Sequence, residues 1–227
     1  MSKIEHSIFT LHRETLVDKL VQNIQEAILS GKRPPKAKIS EVGIATEFGV
    51  SRVPAREALQ RLEEMNMVRR THLGREVAQF SREEFSQIYE LKNVVEAFGA
   101  MKGALHAGQP EIEKIDAMIL EMPDVIARND LKRLQFLNHG FHDSLVLCCN
   151  NPKIIESFSS LAKQLRWAMP ISLEPANRPV LGYREHQEIF SAFRKREAEK
   201  VRCLLEIHSA NNMKRTLAQM DAQGVTS

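Results

Sequence analysis

Phe48-Gly49-Val50-Ser51-Arg52-Val53-Pro54-Ala55-Arg56-Glu57-Ala58-Leu59-Gln60-Arg61-Leu62 reads as a tight turn that feeds a helix. Gly49 supplies a left-handed turn residue, Ser51 an N-cap, and Pro54 falls in the first helical turn, where a missing N–H costs little. Ala55, Ala58, Leu59 and Leu62 recur with helical spacing and form the face to be buried. Arg52 and Arg56, four residues apart, project together from the opposite side. Arginines at the start of a helix laid in the major groove can bond guanine O6 and N7, and Ser51 with the helix N-terminus suits a phosphate. Two arginines on an isolated helix more often mark a plain solvated face, so the surroundings decide.

Upstream, Ser40 can cap a short helix through Phe48. Before it, Leu16, Val17, Leu20, Val21, Ile24 and Ile28 mark a first helix within Leu11–Ser30, stopped by Gly31 and the breaker Pro34-Pro35. Downstream, Asn66 is an acceptable left-handed cap. Met67-Val68-Arg69-Arg70 and Glu76-Val77-Ala78-Gln79-Phe80 then read as two strands around Thr71–Arg75. Helix, helix-turn-helix and hairpin over residues 1–80 is the order of a winged helix. Between Arg33 and Arg75 stand nine basic and five acidic residues, a modest footprint for a polyanion. Lys38, Arg69, Arg70, His72, Gly74 and Arg75 flank the reading helix as candidate DNA contacts.

Beyond Ser81 the strand signals cease. Ser81-Arg82-Glu83-Glu84 is a capping box that opens a long helix bearing Phe85, Ile88, Leu91, Val95 and Phe98. Further helices begin near Pro110, Asp130 and Asn151-Pro152. After a loop with Pro170, Pro175 and Pro179, two more carry His186-Ile189-Phe190-Phe193 and Val201-Leu204-Leu205-His208-Leu217. The fold class is therefore mostly α: a winged helix-turn-helix, then an antiparallel bundle of six to seven helices over 81–220, with 221–227 a disordered tail. At 43% hydrophobic and 27% charged residues, the 227-residue chain is outside the range of disordered sequences. No run approaches the roughly 18 apolar residues of a membrane span, and Met1–Thr10 lacks a signal-peptide core, which points to the cytoplasm. Cys148, Cys149 and Cys203 lack a C-x-x-C spacing and read as reduced small side chains.

One polar cluster stands out in the helical region. Asn138 and His142 lie one turn apart on one helix, while His186 and His208 fall on the apolar faces of two others. A single such histidine is usually a hydrogen-bonded core residue. Three inward imidazoles can instead share a divalent transition metal such as zinc, nickel, manganese or iron. His139 is out of register. The same cluster would serve a metal-dependent enzyme, the alternative reading, but no nucleophile, P-loop or dinucleotide motif accompanies it.

The segment from Phe48 to Leu62 resembles the G-V-S-R-x-P-V-R-E-A-L-x-R-L signature of the GntR family of bacterial regulators. Ile28-Leu29-Ser30-Gly31 is similar to the I-x-x-G that ends the family's first helix, and Leu73-Gly74-Arg75-Glu76-Val77 to its R-G-x-x-V wing. Pro35-Lys36 stands where the family usually has Pro-Gly, and Leu73 replaces the wing arginine. Asn138-His139-Gly140-Phe141-His142, Glu185-His186 and His208 resemble the D/N-x-x-F-H, E-H and final H of the FadR-like subfamily's FCD ligand domain. This resemblance implies Asn138, His142, His186 and His208 as metal ligands. Asn for Asp keeps an oxygen but removes a charge, which lowers affinity for a dication. Glu90-Leu91-Lys92-Asn93-Val94-Val95-Glu96 matches the subfamily's E-L-R-x-x-L-E, with Lys92 at the arginine position. Lys92 and Arg166 are the candidate contacts of a small, carboxylate-bearing effector. A regulator controlled by such an effector follows, bound as a homodimer to palindromic double-stranded operator DNA, because one wing and one short helix touch too few bases alone.

Overall fold

The computed structural model describes residues 14–168 and 178–222. The chain divides into two compact units, one up to Ala78 and one from Gln79.

In the first unit α1 spans Leu16–Leu29, β1 Lys38–Ile39, α2 Glu41–Phe48, α3 Arg52–Glu64, β2 Val68–Thr71 and β3 Gly74–Val77. Thr15 and Asp18 close a capping box at the start of α1, whose Val17, Leu20, Val21, Ile24 and Ile28 are buried. Ser40 accepts from Gly43 N–H to start α2, and Gly49, at φ +64°, ends it. The helix α3 buries Ala55, Ala58, Leu59 and Leu62, the stripe read from the sequence, and Asn66 at φ +56° turns the chain away.

The strands differ from the sequence expectation. The three-stranded sheet runs in the order β1-β3-β2, both pairs antiparallel, with Thr71 opposite Gly74. The hairpin therefore turns on two residues, His72 and Leu73, stabilised where the Thr71 hydroxyl accepts from Leu73 N–H. This tight turn starts β3 at Gly74 rather than Glu76, and β3 ends at Val77 rather than Phe80.

In the second unit α4 spans Arg82–His106, α5 Gln109–Ala127, α6 Leu131–Leu147, α7 Pro152–Ala168, α8 Arg178–Arg194 and α9 Ala198–Ala222. This is the helical bundle implied by the sequence, with six helices among the described residues. Its core joins Ile115, Leu137, Phe141, Leu145, Ile189, Phe193, Val201 and Leu205. The long helix α4 packs against α6, α7, α8 and α9. A Cβ on Gly103 would lie 2.3 Å from the Leu145 carbonyl, so glycine is what lets α4 and α6 approach this closely. Pro179 falls inside the first turn of α8 rather than in a loop, whereas Pro170 and Pro175 lie outside the described residues. Asp221 and Ala222, expected in a disordered tail, close α9, and Asp221 accepts from Arg82 at 3.0 Å; residues 223–227 lie outside the described range.

Candidate DNA-reading surface and histidine pocket

On α3 the exposed face carries Arg52, Val53, Arg56 and Gln60. Arg52 is 72% exposed and 3.8 Å from Glu41, a loose ion pair, and Arg56 has no ion pair among the described residues. Ser51 caps α3 by backbone conformation alone, and its hydroxyl makes no capping bond. Lys38, His72 and Gly74 are exposed on the sheet and its hairpin.

The other arginines are engaged. Arg69 donates to Glu76 at 2.9 Å and Arg70 to Glu63 at 3.0 Å, both from exposed positions. Arg75, only 16% exposed, donates to Glu63 and to Glu41 at 3.0 Å. It links α2, α3 and β3, and is more buried than the exposed Arg69 and Arg70 with which the sequence grouped it. Burial would raise the Glu63 carboxyl, yet Arg75 and Arg70 outweigh this and hold it below the usual range.

In the second unit α6, α8 and α9 bring His142, His186 and His208 together, with ligand-capable atoms all within 4.8 Å of one another. All three are buried. His142 Nδ1 lies 2.5 Å from Glu96 Oε1, an ion-pair contact whose angles fall short of a hydrogen bond. His208 Nδ1 lies 2.6 Å from Glu185 Oε2. Because an ionised carboxylate can only accept, the His208 proton sits on Nδ1, which leaves Nε2 to accept from Asn212 Nδ2 at 2.8 Å. Both ring nitrogens of His186 are buried without a hydrogen-bond partner. Burial, with repulsion from His208 and His142, holds the His186 imidazole well below its usual pKa. Burial likewise lowers His208 to about 4 against the pull of Glu185. Both rings are neutral at pH 7, the form that ligates metals.

A cavity of about 100 Å³ opens beside the cluster, lined by polar groups that include Lys92, Asn138, His142, Arg166, His208 and Asn212. Lys92 and Arg166 are thus brought to it with Asn138, but neither is spare. Lys92 pairs with the fully buried Glu96, and Arg166 donates to both oxygens of Asp143 at 2.5 and 2.7 Å. Burial opposes the charge on Lys92, and Glu96 more than compensates, so its pKa lies above the ordinary value. Burial would raise Glu96, yet Lys92 and His142 hold it far below. His139 also lines the cavity.

Sequence reasoning quoted Glu96 and Glu185 within motifs without giving them a role, and missed Asp143 and Asn212. Spacing could have found two of these. Lys92 and Glu96 are one turn apart on α4, as are His208 and Asn212 on α9.

Two family models match the chain: the bacterial regulatory proteins of the gntR family over residues 16–74, and the FCD domain over residues 87–211. The chain belongs to the GntR family of bacterial regulatory proteins, and its larger unit carries an FCD domain. It is 29% identical over 152 residues to the gluconate operon transcriptional repressor of Bacillus licheniformis, 66% of this chain and 62% of that one. It is thus similar to that relative over less than two thirds of the relative's length. It is 30% identical over 130 residues to an uncharacterized HTH-type transcriptional regulator of Agrobacterium vitis, 55% of this chain and 75% of that one. In fold it is similar to E. coli McbR/YncC, with a TM-score of 0.74 at 17% identity over 91% of this chain and 99% of that chain. Among the described residues no helix is long and apolar enough to cross a membrane.

Proposed function

We propose that this regulator is a cytoplasmic homodimer that binds a palindromic operator through α3, and that a small carboxylate-bearing effector controls it from the histidine pocket. Arg52 and Arg56 reach base edges, Ser51 and the α3 N-terminus hold a phosphate, and Lys38, Arg69, Arg70, His72 and Gly74 contact the backbone or the minor groove. Arg75 orients the wing through its ion pairs with Glu41 and Glu63.

The observation that carries the pocket's role is His186, whose two buried nitrogens have no partner inside a cluster of three imidazoles. Burying such a ring unsatisfied is costly. The residues fit a divalent transition metal: three buried imidazoles, two of them facing carboxylates from Glu96 and Glu185, as metal-binding histidines usually do. His142, His186 and His208 would hold the ion, with Asn138 as a weaker oxygen ligand, and the ion would supply positive charge to the cavity. That charge matters for the effector. Lys92 and Arg166 are already balanced by Glu96 and Asp143, so the side chains alone offer little surplus attraction for an anion. A hydroxy-carboxylate such as gluconate is the first class to try, since one relative is the repressor of a gluconate operon.

Thermal unfolding of the full chain tests this. Zinc, nickel or manganese should raise the melting temperature of chelator-stripped protein, His186→Ala should abolish the rise, and Asn138→Asp should enlarge it. A melting temperature indifferent to every metal and to chelator would refute the metal site.

A further inference from the structure

We infer that Asn212 guards the histidine cluster: its amide occupies the nitrogen through which His208 would bind a metal ion, and an ion enters only when that amide swings away. The inference rests on the metal reading above and adds a residue that opposes it. His208 lies on α9 with its Nδ1 proton given to Glu185 Oε2 at 2.6 Å, so Nε2 keeps the ring's in-plane lone pair. Asn212, one turn further along α9, donates to that nitrogen at 2.8 Å. A divalent ion such as zinc needs the same lone pair, at about 2.1 Å along the same direction. An amide nitrogen 2.8 Å away leaves no room for it, so the two occupants exclude each other.

The amide is fixed in this orientation from its other end. Arg215, which can only donate, gives a hydrogen bond from Nη2 to Asn212 Oδ1 at 2.8 Å and also reaches Glu185 Oε2 at 3.3 Å. A flip that offered Oδ1 to an ion would turn Nδ2, itself a donor, toward the Arg215 guanidinium and break that bond. Glu185 therefore sets the His208 tautomer and anchors Arg215, and Arg215 keeps Asn212 from acting as a ligand. The neighbouring ring gives the contrast. Both nitrogens of buried His186 lack a hydrogen-bond partner, so its lone pair is available, whereas that of His208 is taken. Asn212 also lines the cavity beside the cluster, so its displacement by an ion alters the wall that an effector meets.

The zinc affinity of the full chain, stripped of metal and titrated in competition with a chromophoric chelator, tests this role. Asn212→Ala should bind zinc roughly 3- to 10-fold more tightly than wild type, the span of one displaced hydrogen bond. Adding His186→Ala should abolish the gain. Should Asn212→Ala fail to fold, Asn212→Ser, whose side chain is too short to reach Nε2, should show the same tightening. Nitrogen-15 NMR of the histidine rings supplies a readout that needs no metal and that a merely structural role would not move. In metal-free wild type His208 Nε2 should resonate as a hydrogen-bonded acceptor, and in Asn212→Ala it should move to higher chemical shift while Nδ1 stays protonated. Equal or weaker zinc binding by a folded variant, beside a wild type that binds zinc, overturns the guard and leaves the metal site standing. A wild-type His208 Nε2 with the shift of an unbonded nitrogen also overturns it. Zinc bound by the variant alone supports both readings, and zinc bound by neither removes the metal site and the guard together.

Discussion

Lys36 holds a backbone angle that favours glycine. Its φ is +64°, at the position where the family usually places glycine after proline, and an L side chain there costs roughly 1–2 kcal/mol. Lys36→Gly should therefore raise stability by about 0.5–1 kcal/mol, part of the relief being offset by the freedom glycine adds to the unfolded chain. A lowered melting temperature would contradict this. Arg52 and Arg56 differ from Arg75 in the same terms. Arg52→Ala and Arg56→Ala should each cost about 1–3 kcal/mol of specific DNA binding and leave folding intact, because both side chains stand free of the core. Arg75→Ala should lower the melting temperature as well, since it strips Glu63 and Glu41 of their partner. Competition binding and thermal unfolding of the three variants separate the roles. All three were legible as cations. That Arg75 is tied down was not, because its partners Glu41 and Glu63 lie 34 and 12 residues away along the chain.

At the scale of elements, the helices were legible and the sheet less so. Helix α3 announces itself through four small or apolar residues at helical spacing and capping signals at both ends. The strand β1 does not, because two residues between a proline pair and a capping serine carry no period, and Lys38–Ile39 becomes a strand only by pairing with β3. The histidines were legible because polar residues on apolar faces break a pattern. Glu96 was not, since a glutamate on a helix is ordinary until its burial is known. The Glu63 cluster that joins α3 to the wing makes a pH-dependent contribution of known sign. Its carboxyl is held below the ordinary value of 4.5, so the stabilisation is complete above that pH and is lost as pH falls through the lowered folded value. Glu63→Gln should remove this contribution, lowering the melting temperature at pH 7 and narrowing the gap to wild type as the solution is acidified. A constant gap between pH 7 and pH 3 would show that Glu63 does not titrate in this way.

At the scale of the whole molecule, the two units have different chemistries. The first presents exposed cations around an exposed helix, and the second encloses buried imidazoles beside balanced ion pairs. In the proposed dimer, two reading helices related by a two-fold would address two half-sites and so give the first unit its specificity. Binding should accordingly weaken steeply with salt and be weaker still for one half-site than for two. The most direct measurement is selection of DNA by the full chain from a random or genomic pool, sequenced beside the Arg52→Ala, Arg56→Ala double variant. The expected result is a single palindromic motif enriched by the wild type and absent from the variant. Recovery of no motif, or of the same motif by the double variant, would contradict the assignment of α3 as the reading helix.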